Sequence, residues 1–473
     1  MRSVEKRIGK ERLAFLLIVV LILQGMWPGR SIMARAEAGA GGSALQIQAT
    51  PGEAEEVLEN ALEGPVHEEL EEYTLATPAY AEQPEYELAT PSVLLRGAGI
   101  GDLWVDWNGD TDFQGSGTAS HPYQINSLAQ LMGLAEAVAS GRDFAGEYIE
   151  LTRDIDLSDL QANSGNWNPI GWYQNGSELA GEVSHPFRGD FDGCGNTISG
   201  LKIINPTWNL KNIGLFGTLD GGSVRNLTVE GEDIYGEENS AVLAGKVMGD
   251  TVIAHVTVSG YVHSAEDAGG IAAEVCGSEK PDSGENQVTI ENCRADGIIL
   301  NSTGTGGYVG GIAGNVQRAY LVDNTVITQN GDANRIQGKG YVGGIAGRMR
   351  ETSIYNSYVN GTVGGNGTRA AGGIVGKYES GNLILARMAG DISRTNNGSA
   401  SREGTFVGTR ESRDNFTYGT EKDSRLAYLF TTSAAKAKLV FGSNIDGDNS
   451  FTKSAHIGYW TDLERKYATV AGK

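Results

Sequence analysis

The sequence predicts an all-β, right-handed parallel β-helix over residues 187–408, closed at its N-terminus by a cap that contains one helix. Two phase-locked phrases and a high glycine content carry that prediction. The first phrase occurs six times: Gly214-Leu215-Phe216-Gly217, Val242-Leu243-Ala244-Gly245, Gly270-Ile271-Ala272-Ala273, Gly311-Ile312-Ala313-Gly314, Gly344-Ile345-Ala346-Gly347 and Gly373-Ile374-Val375-Gly376. Its starts are 28, 28, 41, 33 and 29 residues apart, a period that marks one supersecondary unit stacked on itself. The second phrase centres on Asn226, His255, Asn292, Asn324, Asn356 and Leu385, with apolar flanks such as Val224 and Val229 or Ile354 and Val359. Gly231, Gly260, Gly297, Gly361 and Gly390 follow it. Each unit is therefore two or three short β-rich runs broken by Gly and Asn, with no room for a long helix.

Residues 1–38 read as an export signal. Arg2, Lys6, Arg7, Lys10 and Arg12 precede the apolar run Leu13 to Leu23, and Ala34-Arg35-Ala36 and Ala36-Glu37-Ala38 are small-x-small sites, with cleavage expected after Ala38. The run is short for a membrane span of ~20 residues, although an uncleaved N-terminal anchor is the competing reading. No second apolar span follows, so the mature chain is expected outside the membrane.

Residues 39–98 read as a disordered acidic linker. Between Ala36 and Leu95 there are 13 Glu and no Lys, Arg or Asp, and Tyr73-Thr74-Leu75-Ala76-Thr77-Pro78 recurs as Tyr86-Glu87-Leu88-Ala89-Thr90-Pro91. Such composition lacks core-forming residues and repels itself. Val57 to Glu72 has the composition of a transient acidic helix.

Residues 99–186 read as the N-terminal cap and first irregular coils. Ser127 with Gln130 forms a capping box, Leu128, Leu131, Leu134, Ala135 and Val138 share one helical face, and Gly141 ends the helix. Tyr148 to Thr152 and Asp154 to Leu157 alternate as strands do. Phe187 to Leu201 opens the regular coils.

In the repeats, Leu215, Leu243, Ile271, Ile312, Ile345 and Ile374 are expected to stack as one interior aliphatic column, coil on coil at about 4.8 Å. Neighbouring coils supply burial that no coil supplies alone. Asn226, Asn292, Asn324 and Asn356 are expected to form a structural ladder at a left-handed corner. Glycine makes up 68 of 473 residues, as corners require. A disordered Gly-rich tract would not keep the aliphatic residues in register, which leaves another all-β solenoid or sandwich as the competitor. After Phe406-Val407-Gly408 the repeat decays, and 409–473 is expected to close the solenoid with Trp460 buried.

The net charge is −22, and no basic stripe accompanies the repeats, so nucleic acid is not an expected partner. Cys194, Cys276 and Cys293 do not make a disulfide framework. Cys276 and Cys293 flank an insertion, Gly277 to Asn286, and are candidates for a bond; the alternative is that Cys293 is a small buried residue in its coil and Cys194 a turn residue.

The repeated phrases, each followed by a Val-x-Asn-x-x-Val-x-Gly-like segment, resemble the GLUG motif of bacterial surface proteins. Gly115-Ser116-Gly117-Thr118, Pro122-Tyr123-Gln124-Ile125, Asp154-Ile155-Asp156-Leu157, Pro169-Ile170-Gly171 and Phe187-Arg188-Gly189-Asp190-Phe191-Asp192-Gly193 resemble the leader before such repeats. The resemblance covers residues 102–408. It implies a pectin-lyase-like β-helix and a likeness to the non-catalytic N-terminal repeats of immunoglobulin A-specific zinc metalloproteases and to secreted proteins of Gram-positive gut bacteria. The protease chemistry itself is not implied. A zinc site of that class needs two His one helical turn apart, whereas His67-Glu68-Glu69-Leu70-Glu71 carries Glu71 in the second place. No Leu-Pro-x-Thr-Gly sorting signal is present.

Other candidates have structural readings beside them. Asp106-Trp107-Asn108-Gly109-Asp110-Thr111-Asp112 alternates oxygen ligands like a calcium loop, but Thr111 and Gly117 stand where a turning Gly and a bidentate Glu belong, which favours an Asx-rich turn. Asn444, Asp446 and Asp448 are a weaker version. Asp190 and Asp192 could act as a carboxylate pair on a β-helix enzyme or as corner residues. Trp167, Trp172, Tyr173 and Trp208 could stack on sugars or cover the first layers. The sequence thus favours a secreted or cell-surface, non-enzymatic and monomeric binding or adhesion module, without cofactor or metal, whose partner is an extracellular glycan or a host or cell-surface protein. A polysaccharide lyase or hydrolase, and a detached non-catalytic protease domain, are the alternatives.

Overall fold

The computed structural model describes residues 32–36, 45–49, 109–158, 160, 166–171, 185–204, 211–278, 287–328, 335–365, 367–392, 402–410, 425–427, 429–431, 457–459 and 469–470, those before 109 and after 410 by backbone alone. Residues 1–93 and 94–473 are separate units. In the first, Ile32–Ala36 pairs antiparallel with Leu45–Ala49. The expected cleavage residue Ala38, the apolar run and the rest of the acidic linker lie outside the described residues.

The second unit is a parallel β-solenoid of three sheets. One sheet stacks seven short strands: Lys211–Ile213, Glu238–Ala241, Ala268–Gly269, Tyr308–Gly310, Tyr341–Gly343, Ala370–Gly372 and Arg402–Gly404. A second stacks Phe216–Asp220, Ala244–Gly249, Ala272–Gly277, Ala313–Gln317, Ala346–Arg350, Val375–Tyr378 and Val407–Arg410. The repeated phrase is the bend between them. A third, longer face follows in each coil, as in Ser223–Gly236 and Val252–Ser264.

The phrase is built for close stacking. Ile271 N–H donates to Ile312 C=O at 2.9 Å, Ile312 to Ile345 at 3.1 Å, Ile345 to Ile374 at 2.9 Å and Ile374 to Phe406 at 3.0 Å. Leu215 donates to Val242 C=O at 3.0 Å, and Phe216 to Leu243 C=O at 2.7 Å. Leu215, Leu243, Ile271, Ile312, Ile345 and Ile374 are all fully buried, each worth about 1.5–3 kcal/mol of burial. A Cβ on Gly344 would lie 2.1 Å from Gly373 O, so the glycine before the isoleucine is what lets the coils approach. Parallel interior columns line the third face, among them Val224, Ile253, Ile290, Leu321, Ile354 and Leu383.

The left-handed corner differs from the spacing at one rung. Asn226, His255, Asn292, Asn356 and Leu385 take φ of 52°, 55°, 51°, 45° and 58°, but the fourth rung puts Asp323 there, with φ 57°. Asn324 is the next residue and points into the core, in the column of Cys293 and Ser357. Asp and Asn both tolerate this conformation, so Asp323 serves the corner. Asn324 is free to turn inward because its amide finds partners there.

The helix α1, Leu128–Ala139, starts at Ser127, whose Oγ accepts the Gln130 N–H at 3.2 Å, and the Gln130 side chain in turn accepts the Asn126 N–H at 2.9 Å. At its end Gly141 takes φ 101°, and Gly141 and Arg142 donate to Val138 and Ala137 C=O at 2.9 and 3.0 Å, a Schellman closure. Leu131, Leu134, Ala135 and Val138 are buried in the same core as Ile149 and Phe191. The third face begins well before residue 187: Tyr123–Ile125 pairs with Tyr148–Leu151, which pairs with Asp190–Asp192. At the other end it continues through Arg425–Ala427, Leu429–Thr431 and Ile457–Tyr459. Strand pairing thus extends on both sides of residues 187–408, into the stretch read from sequence as cap and first irregular coils and into the one read as a closing segment. Trp460 lies outside the described residues.

Candidate functional site

Inward columns repeat from coil to coil, whereas outward ones do not. In the second sheet the inward positions are Leu219, Val247, Val275, Val316, Met349 and Tyr378, while the neighbouring outward positions run Lys246, Glu274, Asn315, Arg348 and Lys377. Recognition chemistry is therefore confined to the outward set.

One outward region is the corner between the first two sheets. Asn239 Nδ2 donates to Asn212 Oδ1 at 2.8 Å and to Glu274 Oε2 at 3.1 Å, and Lys246 pairs with Glu274 at 3.0 Å. Further along, Arg348 meets Glu379 through two 2.8 Å bonds and Asn315 Oδ1 at 3.2 Å, and Lys377 adds a third contact to Glu379. Burial alone would raise the Glu379 carboxyl, but Arg348 and Lys377 hold it at about 2. Burial pushes Asp267 up to about 7, against the Tyr308 N–H that it accepts at 2.8 Å. Tyr308 and Tyr341 stack at 5.5 Å and 20°, and the Arg348 and Arg369 guanidiniums sit 5.6 and 5.0 Å from their centroids. These ring faces are taken up by one another and by cations, so the corner reads as a cross-coil brace.

The second region is aromatic and faces outward from the third sheet. Register places Tyr235 beside His263 and His263 beside Asn301, with Tyr261 two residues before His263 on the same side of its strand. Ring centroids are 5.8 Å apart for Tyr235–Tyr261, 5.2 Å for Tyr235–His263 and 6.2 Å for Tyr261–His263. All three are half-buried. Burial lowers His263 to about 4 and raises both tyrosine hydroxyls, so all three rings are uncharged at neutral pH. Ile204, next to this face in the preceding coil, is the one large exposed hydrophobic among the described residues. Sequence reading missed the cluster because its members lie on different coils and do not recur.

The residues nominated from sequence fall elsewhere. Asp190 Oδ1 accepts from Ser223 Oγ at 2.6 Å. Asp192 accepts the Cys194 N–H at 2.8 Å, Asn226 Nδ2 at 3.0 Å and Arg225 Nε at 2.8 Å. Burial would raise Asp192, yet these donors hold it below the usual carboxylate range, unlike a general acid. Trp167 is buried, its Nε1 donating to Leu215 O at 2.9 Å, and so covers the first aliphatic layer. Trp172, Tyr173, Trp208, Asp106, Asn108, His67 and Asn444 to Asp448 lie outside the described residues. Asp110 Oδ1 accepts the Asp112 N–H at 2.9 Å, an Asx turn. Cys194, Cys276 and Cys293 are free thiols, Cys293 buried in the core and Cys194 at a left-handed turn. Among the described residues no His, Cys, Asp and Glu group could hold a metal ion, and no helix is long and apolar enough to cross a membrane.

Comparison with known proteins adds one relative. The chain is 33% identical to Halomucin of Haloquadratum walsbyi (strain DSM 16790 / HBSQ001) over 165 residues, 34% of this chain and 2% of that protein. The chain thus spans a very small part of that relative's length. No family model and no solved structure matches the chain.

Proposed function

We propose that this chain is a secreted or cell-surface β-helical binding module without enzymatic activity, whose partner is an extracellular glycan or a surface protein. The observation that carries the reading is the division of labour in the coils: residues that repeat are spent on stacking, and residues that vary face outward. A solenoid so built presents an extended surface for binding. The carboxylates nearest to a catalytic pair are engaged by Ser223, Arg225, Asn226 and the Cys194 N–H. The likeness to GLUG-type surface repeats rests on the repeated phrases, and the stretch shared with Halomucin agrees with a surface setting. A polysaccharide-cleaving enzyme is the competing reading.

The test is to immobilise the purified chain, pass over it host glycans, mucin, immunoglobulin A and plant polysaccharides, and measure retention together with product release. Retention without shortened or unsaturated products is expected. Release of such products, abolished by Asp190→Asn or Asp192→Asn, would establish an enzyme instead.

A further inference from the structure

We propose that the outward face made by Tyr235, Tyr261 and His263, bordered by Ile204 and Asn301, is a binding site for an uncharged saccharide chain. The inference rests on the reading of the chain as a binding module and names the ligand class for one place on it.

Three features argue for a sugar. The first is ring placement. Three aromatic rings from two adjacent coils stand 5.2–6.2 Å apart on one side of a parallel sheet, with Ile204 extending the apolar ground by one more coil. A pyranose presents C–H bonds on its faces, and these suit the electron-rich face of an aromatic ring. Its hydroxyls lie around the rim, where the Tyr235 and Tyr261 hydroxyls and the Asn301 amide supply donors and acceptors.

The second feature is charge. Lys202 approaches Asp233 at 3.9 Å, Glu232 lies beside it, and the whole chain carries −22. An anionic glycan would meet Glu232, and among the described residues no arginine or lysine stands over the three rings to hold a carboxylate or sulfate.

The third feature is size. A stable protein interface buries about 800 Å² per partner, whereas the apolar ground here is three half-buried rings, the exposed Ile204 and the half-buried Ile299 beside Tyr261. The face is a ledge for a narrow chain rather than a docking surface for a folded domain. Beneath the rings, interior stacking is supplied by the inward neighbours Ile234 and Val262.

The experiment titrates the purified full chain, by calorimetry and on an array, with uncharged gluco-, manno- and galacto-configured oligosaccharides. At least one should bind, and Tyr235→Ala and Tyr261→Ala should each weaken it about tenfold or more, as loss of an aromatic anchor does. Tyr261→Phe, which keeps the ring, should weaken it less than Tyr261→Ala. If an alanine variant fails to fold by circular dichroism, Tyr235→Phe and Ile204→Ser carry the test, each expected to weaken binding measurably. Undiminished binding in folded variants overturns the site. Binding of mucin, an anionic glycan or a basic peptide with no uncharged saccharide bound also overturns it, while leaving the binding-module reading intact. Cleavage of the titrated sugar would overturn both.

Discussion

Asn324 Oδ1 accepts the backbone N–H of Cys293 at 3.0 Å while its Nδ2 donates to Ile290 C=O at 2.9 Å, so one buried amide ties its own coil to the one before it. The equivalent interior positions hold Leu227, Val256, Cys293, Ser357 and Ala386. A polar group is tolerated in this apolar column because both ends of the amide are satisfied.

Replacing Asn324 with Ala is expected to destabilise the fold by about 1–3 kcal/mol, because the Cys293 N–H and the Ile290 carbonyl lose a buried partner. Asn382→Ala, half-buried on a regular strand with one bond to Ser353 Oγ at 3.1 Å, should cost less. Denaturant midpoints of the two variants check the order.

The aliphatic column makes a sharper contrast. Ile312→Ala should cost about 2–5 kcal/mol, since a fully buried side chain is removed from between two coils that cannot collapse onto each other. Lys246→Ala, outward and held by one partly exposed ion pair, should stay within about 0.5 kcal/mol. Equal effects would show that the column does not carry the stacking.

Leu385 occupies the left-handed corner with φ 58°, a conformation that costs an ordinary L-residue roughly 1–2 kcal/mol. Asn or Gly adopts it readily. Leu385→Asn is therefore expected to raise the melting temperature, and a fall would mean that the leucine side chain contributes more by packing than its backbone loses.

Asp267 sets a pH dependence. Its folded pKa is about 7 against an ordinary 3.8. Between those values the unfolded chain has released a proton that the folded one keeps, so stability falls as pH rises from about 4 to 7. His263, lowered from 6.5 to about 4, acts in the opposite sense over most of that window. Subtraction isolates the carboxyl: the stability of Asp267→Asn minus that of the parent should increase from pH 5 to pH 8. A flat difference would refute the assignment.

The corner brace and the aromatic face show where legibility stops. Arg348 and Glu379, like Tyr235 and Tyr261, stand about one period apart, but no recurrence of residue type marks them as partners. They meet because each coil returns the chain to the same place one rung higher, and outward positions are under no demand to repeat.

The sequence by itself determined the solenoid, its phase and its interior column. A coil that must bury Ile312 on Ile345 needs the same residue type at the same place every turn, and the glycines before them follow from the approach of neighbouring carbonyls. Composition and a capping pattern likewise fixed the helix after Ser127. Tertiary structure alone decided which of Asp323 and Asn324 took the corner, because both suit a left-handed backbone and only the partners at Ile290 and Cys293 favour Asn324 inside. It also decided that strand pairing reaches back to Tyr123, beyond any recurrence of the phrase. Stacking repeats the same physical demand at every rung and so writes itself into the sequence as a period. A binding surface is assembled once, from neighbours that register brings together, and leaves no period to read.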